Sequence, residues 1–106
     1  MSDYKSGLYL IPEHCREGVI NYLERGIPTG SFLTAIFSNN LVESYLRADN
    51  INIEHIKDYV NFLYNYAPSY PFRSWGSKET VQAWIKSGGL SSWFTTQKKE
   101  QKEGAN

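Results

Sequence analysis

The chain has 106 residues, which is enough for one domain. Its eleven basic and eleven acidic residues cancel. This balance argues against binding to DNA, RNA or an anionic membrane, because those partners need a basic surface. Cys15 is the only cysteine, so the chain has no disulfide framework and no thiolate zinc cluster. We expect Cys15 to be a buried, inert thiol.

Aromatic residues make up 15% of the chain, which is a heavy load for so small a core. Some rings serve a subunit interface or a ligand, or else the chain has an ordinary core with scattered exposed tyrosines. No stretch approaches the roughly 20 apolar residues of a membrane span, and residues 1–10 lack the features of a signal peptide. We therefore expect a cytoplasmic protein.

Residues 1–10 are interpreted as an arm that packs on the body through residues 8–10. The first predicted helix begins at Pro12, whose missing N–H costs nothing in a first turn. It runs to Arg25 and ends at Gly26 as a left-handed cap. Helical spacing predicts its core face: Cys15, Val19, Tyr22 and Leu23.

A second helix is predicted from Ser31, as the capping residue, to about Arg47. Its apolar residues recur at helical spacing: Leu33, Ile36, Phe37, Leu41 and Tyr45. Asn39 and Asn40 interrupt this pattern and indicate either a kink or an interface contact.

A third helix, capped by Asn50 or Asn52, is predicted to end before Pro68. Its core stripe is Ile53, Ile56, Val60 and Leu63. Aromatic residues fill much of its other side, and a helix that is apolar on more than one face favours self-association.

Ser77 opens a short fourth helix, which Gly88 and Gly89 end. Its inward residues are Val81, Trp84 and Ile85. The polar tail, residues 91–106, is expected to be disordered or an added helix end. Strand signals are absent, so the predicted fold is all-α, with the main domain over residues 11–90.

No pattern typical of an enzyme is present. His14 and His55 lack partners at metal-ligand spacing, and there is no nucleophile elbow, P-loop or GxGxxG motif. We therefore expect no catalytic residues, no metal and no cofactor.

Two stretches have the composition of a ligand site. The turn between the first two helices combines Arg25, Thr29 and the backbone of a helix start, which suits an anion. Tyr9 or Phe32 would offer a flat face to a base. The second stretch, residues 73–78, places Arg73 beside Trp75, Ser77 and Lys78, and arginine can hold a phosphate through paired hydrogen bonds. The alternatives are a plain capping turn and a structural loop.

Several motifs, in order, resemble a known family. They are Ile-Pro-Glu-His at residues 11–14, Gly-Ile-Pro-Thr-Gly-Ser-Phe-Leu-Thr-Ala at 26–35 and Ser-Asn-Asn-Leu at 38–41. Later come Trp-Gly-Ser at 75–77 and Ala-Trp-Ile, followed by Gly-Gly-Leu, at 83–90. This pattern resembles the helical hairpin of phage anti-CBASS cyclic-oligonucleotide sponges, which is shared with an anti-Thoeris sponge of cyclic ADP-ribose derivatives.

The resemblance implies a hexamer that sequesters cyclic dinucleotides, such as cyclic GMP-AMP, and cyclic trinucleotides without cleaving them. It implies that Thr29 contacts a dinucleotide, with Arg25 in place of the family's lysine, and that Arg73 contacts a trinucleotide phosphate. The loop before Trp75 is longer than the family's usual form. The candidate ligand-binding residues are Tyr9, Pro12, Arg25, Thr29, Phe32, Arg73, Trp75, Ser77 and Lys78.

The sequence therefore predicts a phage immune-evasion protein that acts in the host cytoplasm as a cyclic-oligonucleotide sponge. The alternative is a protein-binding inhibitor or adaptor of a host defence protein, which would use the tyrosine-rich third helix and Trp75. A small nucleic-acid binder is a third possibility, against which the zero net charge counts.

Overall fold

The computed structural model describes residues 3–69 and 72–92, and every regular element in these ranges is a helix. The predicted all-α class is therefore confirmed. In chain order the elements are a 3-10 helix, Tyr4–Leu10, then α1 Glu13–Arg25, α2 Ser31–Phe37, α3 Leu41–Arg47, α4 Asn50–Ile53, α5 Ile56–Asn65 and α6 Lys78–Ser87. The predicted tail lies outside the described residues, apart from residues 91–92, which are helical.

Helix α1 has the predicted bounds because local chemistry decides both of its ends. Pro12 occupies the capping position and Glu13 lies in the first turn. At the other end Gly26 has a φ of 67°, and its N–H donates to the Tyr22 carbonyl at 2.9 Å. This left-handed conformation favours glycine. The predicted end of the first helix is therefore confirmed.

The predicted second helix is in fact two helices, α2 and α3, so the single-helix prediction is wrong. Asn39 has a φ of 60°, a conformation that asparagine tolerates better than most residues. The Asn40 side chain then caps α3 by accepting from the Glu43 N–H at 3.1 Å. Ser31 is the first residue of α2 rather than its cap; Gly30 takes that position, without a side-chain hydrogen bond.

The predicted third helix is also divided, into α4 and α5. Asp49, rather than Asn50 or Asn52, caps α4 by accepting from the Asn52 N–H at 2.7 Å. This hydrogen bond is the main cause of a lowered pKa of Asp49, and a hydrogen bond from His14 contributes as well. The core face of α5 is Tyr59, Phe62 and Leu63, whereas Val60 is 53% exposed. Of the predicted stripe, Leu63 is therefore buried as predicted, Ile53 and Ile56 are half-buried, and only the assignment of Val60 is wrong.

The N-terminal arm packs on the body, but Tyr9 does not take part as predicted. Tyr9 is 67% exposed, while Leu8 and Leu10 are partly buried. The main anchor is Tyr4, whose buried hydroxyl donates to the Glu24 carboxylate at 2.6 Å. Burial and this carboxylate raise the pKa of Tyr4, so the hydroxyl keeps its proton. Gly7 lies directly against the Tyr66 ring, where a Cβ would overlap it.

The centre of the core joins α1, α2 and α6 through aromatic rings. Tyr22 stacks on Phe37 with centroids 4.3 Å apart. The indole N–H of Trp84 donates to the Tyr22 carbonyl at 2.8 Å, and the Tyr22 hydroxyl donates to the Ser74 carbonyl at 2.7 Å. These buried polar groups are paired, as their burial requires. Tyr22 therefore ties α6 and the loop that precedes it to α1.

Both ends of α6 follow the sequence prediction. The Ser77 side chain caps the helix by accepting from the Thr80 N–H at 3.1 Å. Gly88 ends it with a φ of 86°. Gly89 fits tightly against the end of α1, because a Cβ there would lie 2.7 Å from backbone atoms of Glu24 and Gly26. The last turn of α6 is therefore fixed beside the last turn of α1.

Candidate functional site

The two predicted ligand stretches lie at opposite ends of α6. A Cβ on Gly26 would lie 3.0 Å from the carbonyl oxygens of Trp84 and Ile85, which places the turn of residues 26–31 at the C-terminal end of α6. Residues 73–77 lead directly into its first turn. Ten helical residues span about 15 Å. The chain therefore has two separate candidate sites, which we call the C-end turn (residues 25–31) and the N-end loop (residues 73–78).

The C-end turn has a weaker electrostatic case for an anion than its sequence suggested. The α6 C-terminus, with its partial negative charge, faces this turn. Helix α2 starts here but has only seven residues, so its own dipole is short. Arg25 is exposed and lies at the end of α1, so it offers positive charge to solvent. Arg25 therefore supplies positive charge to this turn, while the α6 C-terminus weakens its attraction to a phosphate.

The Thr29 hydroxyl in this turn already has a partner. Its Oγ1 lies 2.9 Å from the Thr34 Oγ1, and the Thr34 hydroxyl also approaches the Thr29 carbonyl at 3.2 Å. The half-buried Thr29 holds the turn to α2 through this pair. A ligand that used Thr29 would share the hydroxyl with Thr34.

Two of the predicted ligand-binding residues, Phe32 and Pro12, are buried. Phe32 is 8% exposed, and its ring meets Tyr59 edge to face with centroids 5.1 Å apart. Pro12 is also buried, at the start of α1. Phe32 is therefore a core aromatic and not an exposed platform for a base. Tyr9 is exposed, and a hydrogen bond with Tyr66 raises its pKa.

Hydrogen bonds to two backbone carbonyls hold the N-end loop in place. The buried Ser74 donates from its hydroxyl to the Pro68 carbonyl at 2.6 Å and from its N–H to the same oxygen at 2.9 Å. The Gly76 N–H donates to the Phe37 carbonyl, the last residue of α2, at 2.8 Å. These two anchors alternate with Arg73, which is exposed, and with Trp75, which is half-buried and packs against the core. The loop therefore presents Arg73 from a fixed backbone.

Arg73 and Trp75 form a cation–π pair at this loop. The guanidinium carbon lies 5.2 Å from the centroid of the Trp75 ring, within the range of an attractive contact. A Cβ on Gly76 would lie 3.1 Å from the guanidinium, so this side chain folds closely over the glycine. Arg73 remains exposed. The pair therefore preorganises a positive, planar group beside the first turn of α6.

Two further features of the N-end loop suit a phosphate, the start of α6 and Lys78, whereas the Ser77 hydroxyl is already engaged and the Trp75 nitrogen is enclosed. The first-turn N–H groups and partial positive charge of α6 lie here, and Lys78 is exposed in the same turn. The Ser77 hydroxyl lies 2.9 Å from that of Thr80. The indole nitrogen of Trp75 is enclosed and has no hydrogen-bond partner among residues 3–69 and 72–92. Such an atom is costly to leave unpaired.

The histidines take no part in these sites within the described contacts. His14 pairs with Asp49 at 2.9 Å and His55 with Asp58 at 2.8 Å. In the described ranges no cluster of three or more His, Cys, Asp or Glu side chains is arranged to hold a metal, and none of the helices there is long and apolar enough to cross a membrane.

Sequence reasoning found the residues of the N-end loop but missed the relation between the two ends of α6. It also missed the exposed apolar face of α3, where Leu41, Val42, Tyr45 and Leu46 are 65–69% exposed. The run of apolar residues on both sides of Asn39 and Asn40 was the available signal. Comparisons of the chain with protein-family models, with curated proteins and with solved structures find no match.

Proposed function

We propose that this chain is a phage immune-evasion protein that binds cyclic oligonucleotide second messengers in the host cytoplasm and holds them without cleavage. The observation that carries the proposal is the Arg73–Trp75 pair at the start of α6. A guanidinium suits a phosphate, the exposed part of an indole suits a base, and the N–H groups at a helix start suit an anion.

The two ends of α6 give the proposal its ligand assignment. The N-end loop, with Arg73 and Lys78 at a helix N-terminus, is the proposed contact for the phosphates of a cyclic trinucleotide. The C-end turn, with Arg25 and Thr29, is the proposed contact for a cyclic dinucleotide such as cyclic GMP-AMP. We propose a homo-oligomer, a hexamer, in which neighbouring subunits complete both sites, because each is open on one protomer.

The proposed function requires high affinity at these sites. A sponge competes with a host receptor, so nanomolar binding is needed, which corresponds to about −12 kcal/mol. A rigid site lowers the cost of ordering on binding. The paired hydrogen bonds of Ser74 and that of Gly76 supply such rigidity at the N-end loop.

Isothermal titration calorimetry with cyclic tri-AMP and with cyclic GMP-AMP tests the proposal directly. We expect saturable heat with at least one of them and none with the linear trinucleotide of the same bases. Arg73→Ala is expected to weaken cyclic tri-AMP binding at least tenfold. Lys57→Ala removes an equal charge from the exposed surface of α5, so it should leave the affinity unchanged.

A flat titration and an unshifted melting temperature with every cyclic di- and trinucleotide tested would overturn the proposal. In that case a host protein that co-purifies in stoichiometric amount, with no nucleotide released on denaturation, would favour the inhibitor or adaptor.

A further inference from the structure

The two tryptophans in the described ranges differ in whether their indole N–H has a partner. Trp84 is buried, and its indole N–H donates to the Tyr22 carbonyl at 2.8 Å. Trp75 is half-buried, yet its indole nitrogen is enclosed and meets no acceptor within the part of the chain that the structure describes. Native folds pair almost all enclosed polar atoms. The N–H of Trp75 is therefore an exception, and it lies in the N-end loop.

The packing of the Trp75 ring does not account for its nitrogen. An enclosed donor without a partner lowers the stability of the fold. A phenyl ring makes apolar contacts without such a donor, as Phe72 does nearby, where its ring centroid lies 5.3 Å from that of Trp84. The indole N–H thus serves no contact of the free chain. We expect it to serve a second arrangement of the side chain, in which it has an acceptor.

The backbone on both sides of Trp75 is fixed, so any such change is confined to the side chain. Ser74 donates twice to the Pro68 carbonyl, and the Gly76 N–H donates to the Phe37 carbonyl. The Trp75 ring itself is only half-buried. A side chain of this kind can exchange between staggered conformations about its own bonds. The indole can therefore turn while the loop keeps its position.

The neighbouring positive charge indicates the chemistry of the acceptor. The guanidinium carbon of Arg73 lies 5.2 Å from the centroid of the Trp75 ring, so an anion bound by Arg73 lies beside the indole. Arginine takes two oxygens of a phosphate through paired hydrogen bonds, and further phosphate oxygens remain free to accept. An indole N–H is a donor only. A phosphate oxygen is thus the acceptor that complements both side chains.

We infer that Trp75 donates a hydrogen bond to the phosphate that Arg73 binds, and that the indole turns to do so. The inference rests on the proposed phosphate contact of Arg73 and adds a residue that determines specificity at the same site. A ligand needs a free phosphate oxygen beyond those that the guanidinium holds. The N–H that is unpaired in the free chain is paired in the complex.

Nuclear magnetic resonance of the full chain, labelled with isotope in its tryptophans, tests the inference. The Trp75 indole signal is the one that Trp75→Phe removes. Inorganic phosphate is added to about 50 mM, well above a dissociation constant of about 1 mM for a weak contact. We expect the Trp75 N–H proton to move downfield, as in a hydrogen bond to a charged oxygen, while the Trp84 signal stays in place. Sodium chloride of equal ionic strength is the control for screening.

Two charge variants make the test specific for the guanidinium. Arg73→Gln is expected to weaken the phosphate response of the Trp75 signal at least tenfold, because the phosphate loses its paired contact. Lys86→Gln removes an equal charge from the exposed surface in the last turn of α6 and should keep the response. Circular dichroism verifies that each variant is folded.

The two tryptophans also form a matched pair for stability. Trp84→Phe removes a paired N–H and should lower the midpoint of urea denaturation. Trp75→Phe removes an unpaired one and should leave the midpoint unchanged or raise it, while it weakens cyclic tri-AMP binding at least tenfold.

An unmoved Trp75 signal in phosphate, an equal movement in sodium chloride, or a midpoint lowered as much by Trp75→Phe as by Trp84→Phe would overturn the inference. The proposed function fails in a different way. A chain that shows the phosphate response but gives no heat with any cyclic nucleotide keeps the indole donor and loses the assignment as a sponge. A chain that binds cyclic tri-AMP with an unmoved Trp75 signal in phosphate keeps the function and loses the indole donor.

Discussion

The two ends of α6 differ in their backbone packing and in their electrostatics. At the C-end turn, glycine backbones pack so closely that a Cβ on Gly89 would lie 2.7 Å from the backbone of α1. At the N-end loop hydrogen bonds anchor the backbone, Arg73 is exposed, and the half-buried Trp75 packs against the core beside the guanidinium. The helix dipole of α6 favours an anion only at the N-end loop. The contrast shows that backbone packing fixes the C-terminal end of α6, whereas the N-terminal end combines a hydrogen-bonded backbone with an exposed guanidinium.

The largest expected effect is on stability at the C-terminal end. Gly89→Ala forces a Cβ into backbone atoms at a φ of 76°, and we expect a loss of about 3 kcal/mol or more in the free energy of unfolding. Gly30→Ala is the control, because no atom lies within 4 Å of its Cβ. Its cost should stay within about 1 kcal/mol. Equal losses in urea denaturation would remove the claimed difference between the two glycines.

Tyr22→Phe is expected to weaken the attachment of the N-end loop to the core. It removes the 2.7 Å hydrogen bond to the Ser74 carbonyl and leaves a buried acceptor with one partner fewer. We expect a loss of about 1–2 kcal/mol in the free energy of unfolding, measured by chemical denaturation. Hydrogen exchange should increase at the Ser74 and Gly76 amides. Unchanged protection of both amides would show that Tyr22 does not hold the loop.

The two arginines should differ in their effect on binding. Arg73→Ala is expected to weaken cyclic tri-AMP at least tenfold, which is about 1.4 kcal/mol. Arg25→Ala is expected to weaken cyclic GMP-AMP by no more than about threefold, because the negative end of α6 faces this turn, whereas Arg73 lies over the Trp75 ring at the positive end. Calorimetry measures both. A larger loss of affinity for Arg25→Ala than for Arg73→Ala would contradict the claim that the N-end loop is the stronger anion site.

The smallest expected difference lies between two serines. Ser77 caps α6 with its side chain, whereas Ser31 makes no cap hydrogen bond at α2. Ser77→Ala should cost about 1 kcal/mol, and Ser31→Ala less than about 0.5 kcal/mol. Thermal denaturation of the two variants compares them. A greater cost for Ser31→Ala would mean that it, and not Gly30, organises the start of α2.

The parts of the fold that the sequence predicted are those decided by local chemistry. Pro12 and Gly26 limit α1, and Ser77 and Gly88 limit α6. The sequence predicts an interruption of the helix at Asn39 but not the form of the interruption, because a kink and a turn have the same composition. Val60 was assigned to the core because helical spacing cannot distinguish a face that meets the core from one that is exposed.

The candidate site was predictable only in part. Arg73, Trp75, Ser77 and Lys78 are close in sequence, so their proximity at a helix start could be predicted. The position of the C-end turn beside the α6 C-terminus depends on the packing of Gly89 against α1. That contact joins residues more than sixty positions apart, and no local pattern announces it. The burial of Phe32 against Tyr59 is long-range in the same way.

Recovery of the ligand tests the central claim of binding without cleavage most directly. The chain is incubated with cyclic tri-AMP, separated from free ligand by filtration and then digested with proteinase. Chromatography of the released nucleotide should show intact cyclic tri-AMP in proportion to the protein, with the Arg73→Ala variant retaining at least tenfold less. Linear products, or no nucleotide retained by the wild-type chain, would contradict the account.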